Sequence, residues 1–356
     1  MLSATQDKGM IPRSSTGIDI KYEKKNLRGY KKVEPGDFIV HLRSFQGGFA
    51  YSDLTGIVSP AYTVFTFKQP EMFNNYFWKE KFTSYNFIQL LKKVTYGVRD
   101  GRSISYSDFL TLNEKFPVKV EQTKIADLFK IIDNLITLQQ RKLEQLMQLK
   151  KAMLQQLFVD KNCKQPILRF KNFNDNWEER KLSDIANYRN GKAHEQYIDM
   201  NGIYTVVNSK FISTNGKVKK FSNKPIELLK KGEIAFVLSD VPNGKALAKA
   251  YLIDSDNRYS LNQRIAGITP SSDINSYFLY ILINRNRYFL KFDDGVGQTN
   301  LSKKDIEEFK ENYPLFDEQQ KIANLFSKIQ ILITLQQNKL TQLTTLKEYL
   351  LRKLFI

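Results

Sequence analysis

Two stretches of this chain carry apolar residues at helical spacing. In 121–158 the positions Ile125, Leu128, Ile132, Leu135, Leu138, Leu146, Leu149, Met153 and Leu157 mostly step by three and four, the period of one helix face. In 318–355 the matching places hold Ile322, Leu325, Ile329, Leu332, Leu335, Leu343, Leu346, Leu350 and Leu354. Neither stretch contains glycine or proline, and laid over one another 197 residues apart they are identical at 23 of 38 positions. A long helix with a one-sided apolar stripe does not bury it alone. The mate on offer is the other copy. Each helix leaves a comparable segment in the same chain direction, so the duplication predicts an antiparallel pair with a pseudo-twofold relation. The matched Lys142 and Lys339, and the shared glutamine pairs, read as solvated faces or register devices.

The segments ahead of the helices alternate short apolar runs with turns. In 159–317 the runs 202–207, 233–238, 248–253 and 264–268 predict strands, and 277–284 and 304–312 predict helices. Asn215-Gly216 and Asn243-Gly244 are turn dipeptides. In 1–120, strands are expected over 37–42 and 61–67 and a helix over 85–91. Pro117 and Pro314 precede the two helices at the same distance, ending an extended lead-in. Asp317, with Gln320 three residues on, is the expected cap of the second helix; the first has no comparable residue. The predicted fold class is α+β: two mixed α/β modules, 1–120 and 159–317, each followed by a long helix, 121–158 and 318–356.

The modules are unequal. Matching 36–42 to 232–238 places 2–13 opposite 198–209, so nothing in the first module answers 167–197 and its opening from Trp177 to Leu182. The first module is therefore expected to be truncated at its start, or completed by something outside the chain.

Charge narrows the partner. Against 37 acidic residues stand 55 lysines and arginines, a net +18, which favours a polyanion, nucleic acid first. A soluble basic protein without such a partner is the plainer alternative. Hydrophobic content of 42%, with 13% aromatic, excludes a disordered chain. One cysteine, Cys163, and two histidines leave no internal disulfide and no zinc site in prospect, which suits a reducing cytoplasm. The apolar run 277–283 is too short to cross a bilayer.

No phosphate loop and no amino-methylation motif occurs, and Gly295 and Gly297 lack the third glycine of a nucleotide fold. No catalytic residue is assigned. Asp293 and Asp294 read as solvated loop carboxylates, and nothing sets His41 or His194 beside a nucleophile. DNA binding needs cations for phosphates and Arg, Asn or Gln for base edges. Lys217, Lys219 and Lys220 follow a turn, and Asn243 and Lys245 occupy a Pro-Asn-Gly-Lys loop. Arg43 and Gln46 sit where a strand opens into a glycine-rich loop, whose counterpart in the second module is 239–243. Arg99 and Arg102, then Gln298 and Asn300, occupy loops ahead of the lead-in segments, and Arg264 lies late in the sheet. The alternative readings are solvated surface for the lysines, loop packing for the loop residues, and a structural hydrogen-bond donor for Arg264. Tyr204, Phe211 and Tyr259 are assigned no role.

Taken together, the module opening Trp177–Leu182, the run Asn262-Gln263-Arg264, the doubled Pro-x-x-x-Glu-Gln-x-x-Ile-Ala lead-in at 117–126 and 314–323, and the repeated helices resemble the specificity subunit of type I restriction-modification systems. The resemblance spans almost the full length. It implies two target recognition domains reading a split sequence on double-stranded DNA, with the helix pair as spacer. It implies two methyltransferase (modification) subunits and restriction/translocase subunits as partners. S-adenosylmethionine, ATP and Mg would then be used by those partners, with no cofactor bound by this chain. The competing reading is an assembly-only or regulatory protein that binds methyltransferase subunits without reading the first half-site.

Overall fold

The structure is a computed structural model that describes residues 1–5, 8–17, 28–41, 48–96, 103–160 and 163–355. The chain divides into two compact units, one of Met1–Leu143 with Leu335–Ile356 and one of Glu144–Thr334. Each unit holds one module and a portion of each long helix. The helices run Lys119–Leu157 and Phe316–Leu354, each starting two residues earlier than the periodicity predicts.

Within each unit the helices pair antiparallel, as the duplication predicts. In the first unit Phe129 stacks on Phe355 at 5.7 Å, Lys347 Nζ lies 2.6 Å from Asp133 Oδ1, and Gln336 Nε2 donates to Gln139 O at 3.2 Å. Rising numbers on one helix meet falling numbers on the other. In the second unit Lys150 Nζ donates to Gln330 Oε1 at 2.6 Å and Phe158 packs on Phe326 at 6.0 Å. Phe355 also meets Phe77 at 5.2 Å, and Phe158 meets Phe278 at 5.3 Å. The same three-phenylalanine joint thus closes each module onto its helices.

The phase of the seam differs from the predicted stripe. The covered positions are Phe129, Ile132, Ile136, Gln139, Leu143, Leu146, Lys150, Met153 and Leu157, an alternation of three and four. Leu135 and Leu332, taken as seam residues from the sequence, are 39% and 50% exposed. Leu128, Leu138, Leu149, Leu335 and Leu346 are exposed as well. Polar side chains at two seam places, Gln139 and Lys150, had pulled the apparent stripe onto the neighbouring leucines.

The lead-ins share one capping device, and it is not the one predicted. Asp317 lies inside the second helix, which starts at Phe316. Instead Gln319 Nε2 donates to Pro314 O and Asp273 O, while its Oε1 accepts from Asn275 N. Gln122 does the same with Pro117 O, Met72 O and Asn74 N. Asn74 and Asn275 in turn cap the helices Asn75–Thr83 and Ser276–Ile283, each accepting two backbone N–H bonds. One glutamine therefore ties the lead-in, the long helix and the module helix in each unit.

The second module carries a sheet in the order Ala186–Asn190, Ile265–Pro270, Ile234–Val237, Ala250–Leu252, all antiparallel. Its other four-stranded sheet runs Phe221–Ser222, Tyr204–Val207, Tyr259–Leu261, Leu228–Leu229, with a parallel central pair. Phe236, Ile268, Phe278 and Phe289 fill the core between sheet and helices. The predicted helix over 304–312 is two elements: a helix Lys303–Glu307, boxed by Ser302 and Asp305, then a strand Lys310–Tyr313 paired with Glu178–Lys181. Sheet pairing with a distant segment overrode the local helical pattern.

The first module has a sheet Ala50–Tyr51, Phe38–Val40, Thr63–Phe65 and the helices Asn75–Thr83 and Tyr85–Leu91 over an aromatic core of Phe38, Phe49, Phe77, Trp78, Phe82 and Phe87. Tight backbone approach fixes Gly48, whose left-handed φ of 73° brings it where any Cβ would meet Phe82 O at 2.2 Å. Among the described residues no helix is long and apolar enough to cross a membrane.

Candidate nucleic-acid interface

The second module gathers five of the sequence-predicted residues around one buried residue, Leu238. Its N–H donates to Arg264 O at 3.0 Å, and its carbonyl accepts from Leu301 N at 2.8 Å. Beyond Leu238, Ser239–Asp240 pairs antiparallel with Thr299–Asn300. Arg264, the loop carrying Asn243 and Lys245, and the loop carrying Gln298 and Asn300 thereby meet at one end of the sheet. All five side chains are exposed.

Three aspartates shape these loops. Asp240 Oδ2 accepts from Ala246 N at 2.6 Å and Leu247 N at 3.0 Å, and its Oδ1 accepts from Val241 N at 2.9 Å. Gly244 passes so close that a Cβ there would sit 2.1 Å from that carboxylate. Asp293 Oδ1 accepts from Gly295 N at 3.0 Å and Asn243 N at 3.4 Å, which joins the two loops. Asp294 accepts from Val296 N and Gly297 N, and these bonds hold its carboxyl below the ordinary range. The pair expected to be plain solvated carboxylates therefore organises the loop. Val241 and Val296, at 63% and 84% exposure, stand at the two tips.

Such loops present amide side chains with little freedom. Gln298 Nε2 donates to Ser239 Oγ at 2.7 Å, and Asn243 Nδ2 reaches Gly295 O at 3.4 Å. Asn243 and Arg264 both adopt left-handed backbone, φ 54° and 64°, uncommon for side chains larger than glycine. Strain of this kind is held where surrounding structure over-determines it. For Arg264 that structure is the neighbouring turn: Gln263 N donates to Lys192 O at 3.0 Å and its Nε2 to Glu195 Oε1 at 2.8 Å. Sequence reasoning passed over Asp240 and Lys192 and gave Asp293 only a solvated role; an aspartate three residues ahead of Asn-Gly was the available signal.

Lys217, Lys219 and Lys220 lie elsewhere, exposed after the helix Ser209–Ser213 and its Asn215-Gly216 turn, leading into the second sheet. They are not brought to the Leu238 cluster by any contact among the described residues. Arg43 and Gln46, and Arg99 and Arg102, lie outside the described residues. Phe211 and Tyr259, assigned no role, are core at 1% and 4% exposure.

One side-chain pair corrects the sequence reading. His194 Nε2 lies 2.7 Å from Ser260 Oγ, and its Nδ1 lies 2.7 Å from Lys192 O. Both side chains are buried, at 1% and 0% exposure, and Ser260 Oγ also accepts from Glu227 N. The pair stitches the turn at 191–194 to the sheet and has no open face for a substrate. Among the described residues no group of three His, Cys, Asp or Glu is placed to hold a metal.

Residues 174–345 match the family model described as type I restriction modification DNA specificity domain. The resemblance read from the sequence is supported over that stretch. Two solved structures share the fold. One is the S subunit of a type I restriction-modification system from M. genitalium, with a TM-score of 0.64 and 18% identity, covering 92% of this chain and 84% of that one. The other comes from work on complex assembly and conformational transition of the type I R-M system, with a TM-score of 0.54 and 15% identity, covering 91% and 83%. The description of the matched family model, a DNA specificity domain, agrees with a DNA-reading role for residues 174–345.

Proposed function

We propose that this chain is the non-catalytic, DNA-reading specificity subunit of a type I restriction-modification system. The observation that carries the reading is the convergence of Asn243, Lys245, Arg264, Gln298 and Asn300 on exposed, internally braced loops of the segment matching a DNA specificity domain. The Asn243 and Gln298 amides, held by second bonds, and the Arg264 guanidinium on its braced backbone discriminate bases, because a mismatched edge leaves them unpaired. Lys245, with Lys217, Lys219 and Lys220, supplies phosphate contacts that position the duplex without reading it.

Partner docking belongs to the outward helix faces. Leu128, Ile131, Leu135 and Leu138 stay exposed along the first helix although they are apolar and regularly spaced. An exposed apolar stripe of this kind marks a protein-binding face. Its proposed occupants are two methyltransferase subunits, with restriction/translocase subunits joining them; S-adenosylmethionine, ATP and Mg are used there. The test is selection of bound fragments from random duplex DNA at moderate salt, with modification subunits present. A shared sequence among the fragments supports the reading, and indifference to sequence refutes it.

A further inference from the structure

Each of the two loops that meet beside Leu238 carries a valine at its tip. Val241 and Val296 remain largely exposed among polar neighbours, Asn243 and Lys245 on one loop and Gln298 and Asn300 on the other. Neither valine is loosely held. Val241 N donates to Asp240 Oδ1 at 2.9 Å, and its carbonyl accepts from Gly244 N at 2.9 Å, which closes a tight turn. Val296 N donates to Asp294 Oδ1 at 2.9 Å. Its neighbour Gly295 lies against Asn243, whose Nδ2 would stand 3.1 Å from a Cβ added there. The two tips are thereby tied together, and a β-branched side chain has little rotamer freedom left to lose.

Gly297 supplies an independent sign. Its φ lies outside the left-handed region, and a Cβ there would meet no atom within 4 Å. Neither backbone nor packing among the described residues requires a glycine at this place; a ligand that approaches the backbone closely does. Gly297 lies between Val296 and Gln298, so that approach falls on the valine tip. The fold gains nothing from two valines left in water, whereas contact with an apolar group of a ligand uses them.

On the base edges of a duplex the apolar group within reach is the C5-methyl of thymine, displayed in the major groove. A wedge between base pairs is the other apolar contact that DNA offers, and it is made by longer or flatter side chains such as Phe, Leu, Ile, Met and Pro. We propose that Val241 and Val296 each read a thymine methyl group, beside base edges read by Asn243, Gln298 and Asn300, so that the second module selects A·T pairs at set positions. This inference rests on the DNA-reading role proposed above and adds to it a base identity and the side chains that set it.

The test uses the full chain with modification subunits and the duplex recovered by selection. Each thymine of the shared sequence is replaced in turn by deoxyuridine, which deletes the methyl and keeps every hydrogen-bonding edge. Affinity should fall about fourfold at each contacted position, the worth of one buried methyl group. Val241→Ser and Val296→Ser, made separately at these exposed positions, should each bind the thymine duplex several-fold more weakly and unrelated DNA as before. Each should also lose the deoxyuridine effect at its own thymine. Deoxyuridine without effect at any position overturns this inference alone, and so does an effect that survives in both serine variants or a weakening equal on all sequences. Selected fragments with no shared sequence overturn the DNA-reading proposal and this one with it.

Discussion

Lys347 places its ammonium 2.6 Å from Asp133, whereas Lys150, its counterpart in the repeat, meets the neutral Gln330 at the same distance. The first unit surrounds its lysine further: Glu80, 1% exposed, lies 3.0 Å away, and Tyr76 donates its hydroxyl to Asp133 at 2.7 Å. Burial lowers the Lys150 pKa from its ordinary value. For Lys347 burial acts in the same sense, but Glu80 and Asp133 more than reverse it and the net shift is upward. Two copies of one helix pair thus carry different electrostatic loads at one seam position.

Replacing these lysines should have unequal effects. Lys347→Met leaves Glu80 and Asp133 as neighbouring carboxylates with only the more distant Lys79, 3.6 and 3.7 Å away, and is expected to destabilise the first unit by about 3 kcal/mol, the low end for a broken buried pair because Lys79 remains and Lys347 keeps some solvent. Lys150→Met removes a single hydrogen bond to a neutral partner and should change stability by less than about 1 kcal/mol. Urea unfolding followed by site-resolved hydrogen exchange separates the two.

Corrected phasing of the seam gives a second test. Ile132→Asp with Ile329→Asp puts carboxylates at positions that are 4% and 5% exposed and should abolish cooperative unfolding at ordinary temperature. Leu135→Asp with Leu332→Asp falls on exposed positions, so the melting temperature should stay within a few degrees. The second pair is instead expected to weaken copurification of modification subunits. Equal loss of stability in both double variants would contradict this seam.

Acid sensitivity of the second unit should trace partly to Glu233. Arg189 binds it bidentately at 2.5 and 2.7 Å, and Thr269 donates at 2.6 Å. Burial pushes the Glu233 carboxyl up, but bonds from Arg189, Thr269 and Lys230 N outweigh it and the net shift is downward. A depressed carboxylate stabilises the fold fully above its unfolded pKa of about 4.3 and loses that contribution as pH falls through the lower folded value. Glu233→Gln should therefore cost stability near neutral pH and show a shallower loss between pH 5 and the acid limit. Parallel acid melts of both proteins check this.

The salt dependence of DNA binding should divide the candidate residues. Lys245→Ala is expected to reduce the slope of log affinity against log salt by about one and to leave base preference intact. Gln298→Ala or Asn300→Ala should leave the slope and relax one position of the site, at a cost of about 1–3 kcal/mol for the preferred base. Filter binding across a salt series, with modification subunits present, distinguishes them.

How far the sequence was legible follows from the range of each interaction. The duplicated helices and their antiparallel pairing were readable because 23 identities over 38 positions leave little else to infer. Their phase was not, since Gln139 and Lys150 are polar residues on the buried face and Leu135 is an apolar one on the open face. Gln122 and Gln319 were visible as a repeat, but a side chain capping its own lead-in carbonyl has no periodic signature. The strand Lys310–Tyr313 reads as helix locally, and only its pairing with Glu178–Lys181, more than a hundred positions away, makes it a strand. Five interface candidates converged because their loops flank one strand end. Lys217, Lys219 and Lys220 did not, because composition marks a cation without saying which sheet carries it.

The most direct test is a map of methylated sites in DNA from cells carrying this chain with modification subunits, repeated after exchanging loops 241–247 and 293–300 for those of a different specificity domain. The wild-type map should show a defined sequence, and the exchange should rewrite one part of it while leaving the rest unchanged. An unaltered map, or loss of sequence preference throughout, would contradict the assignment of base reading to the loops around Leu238.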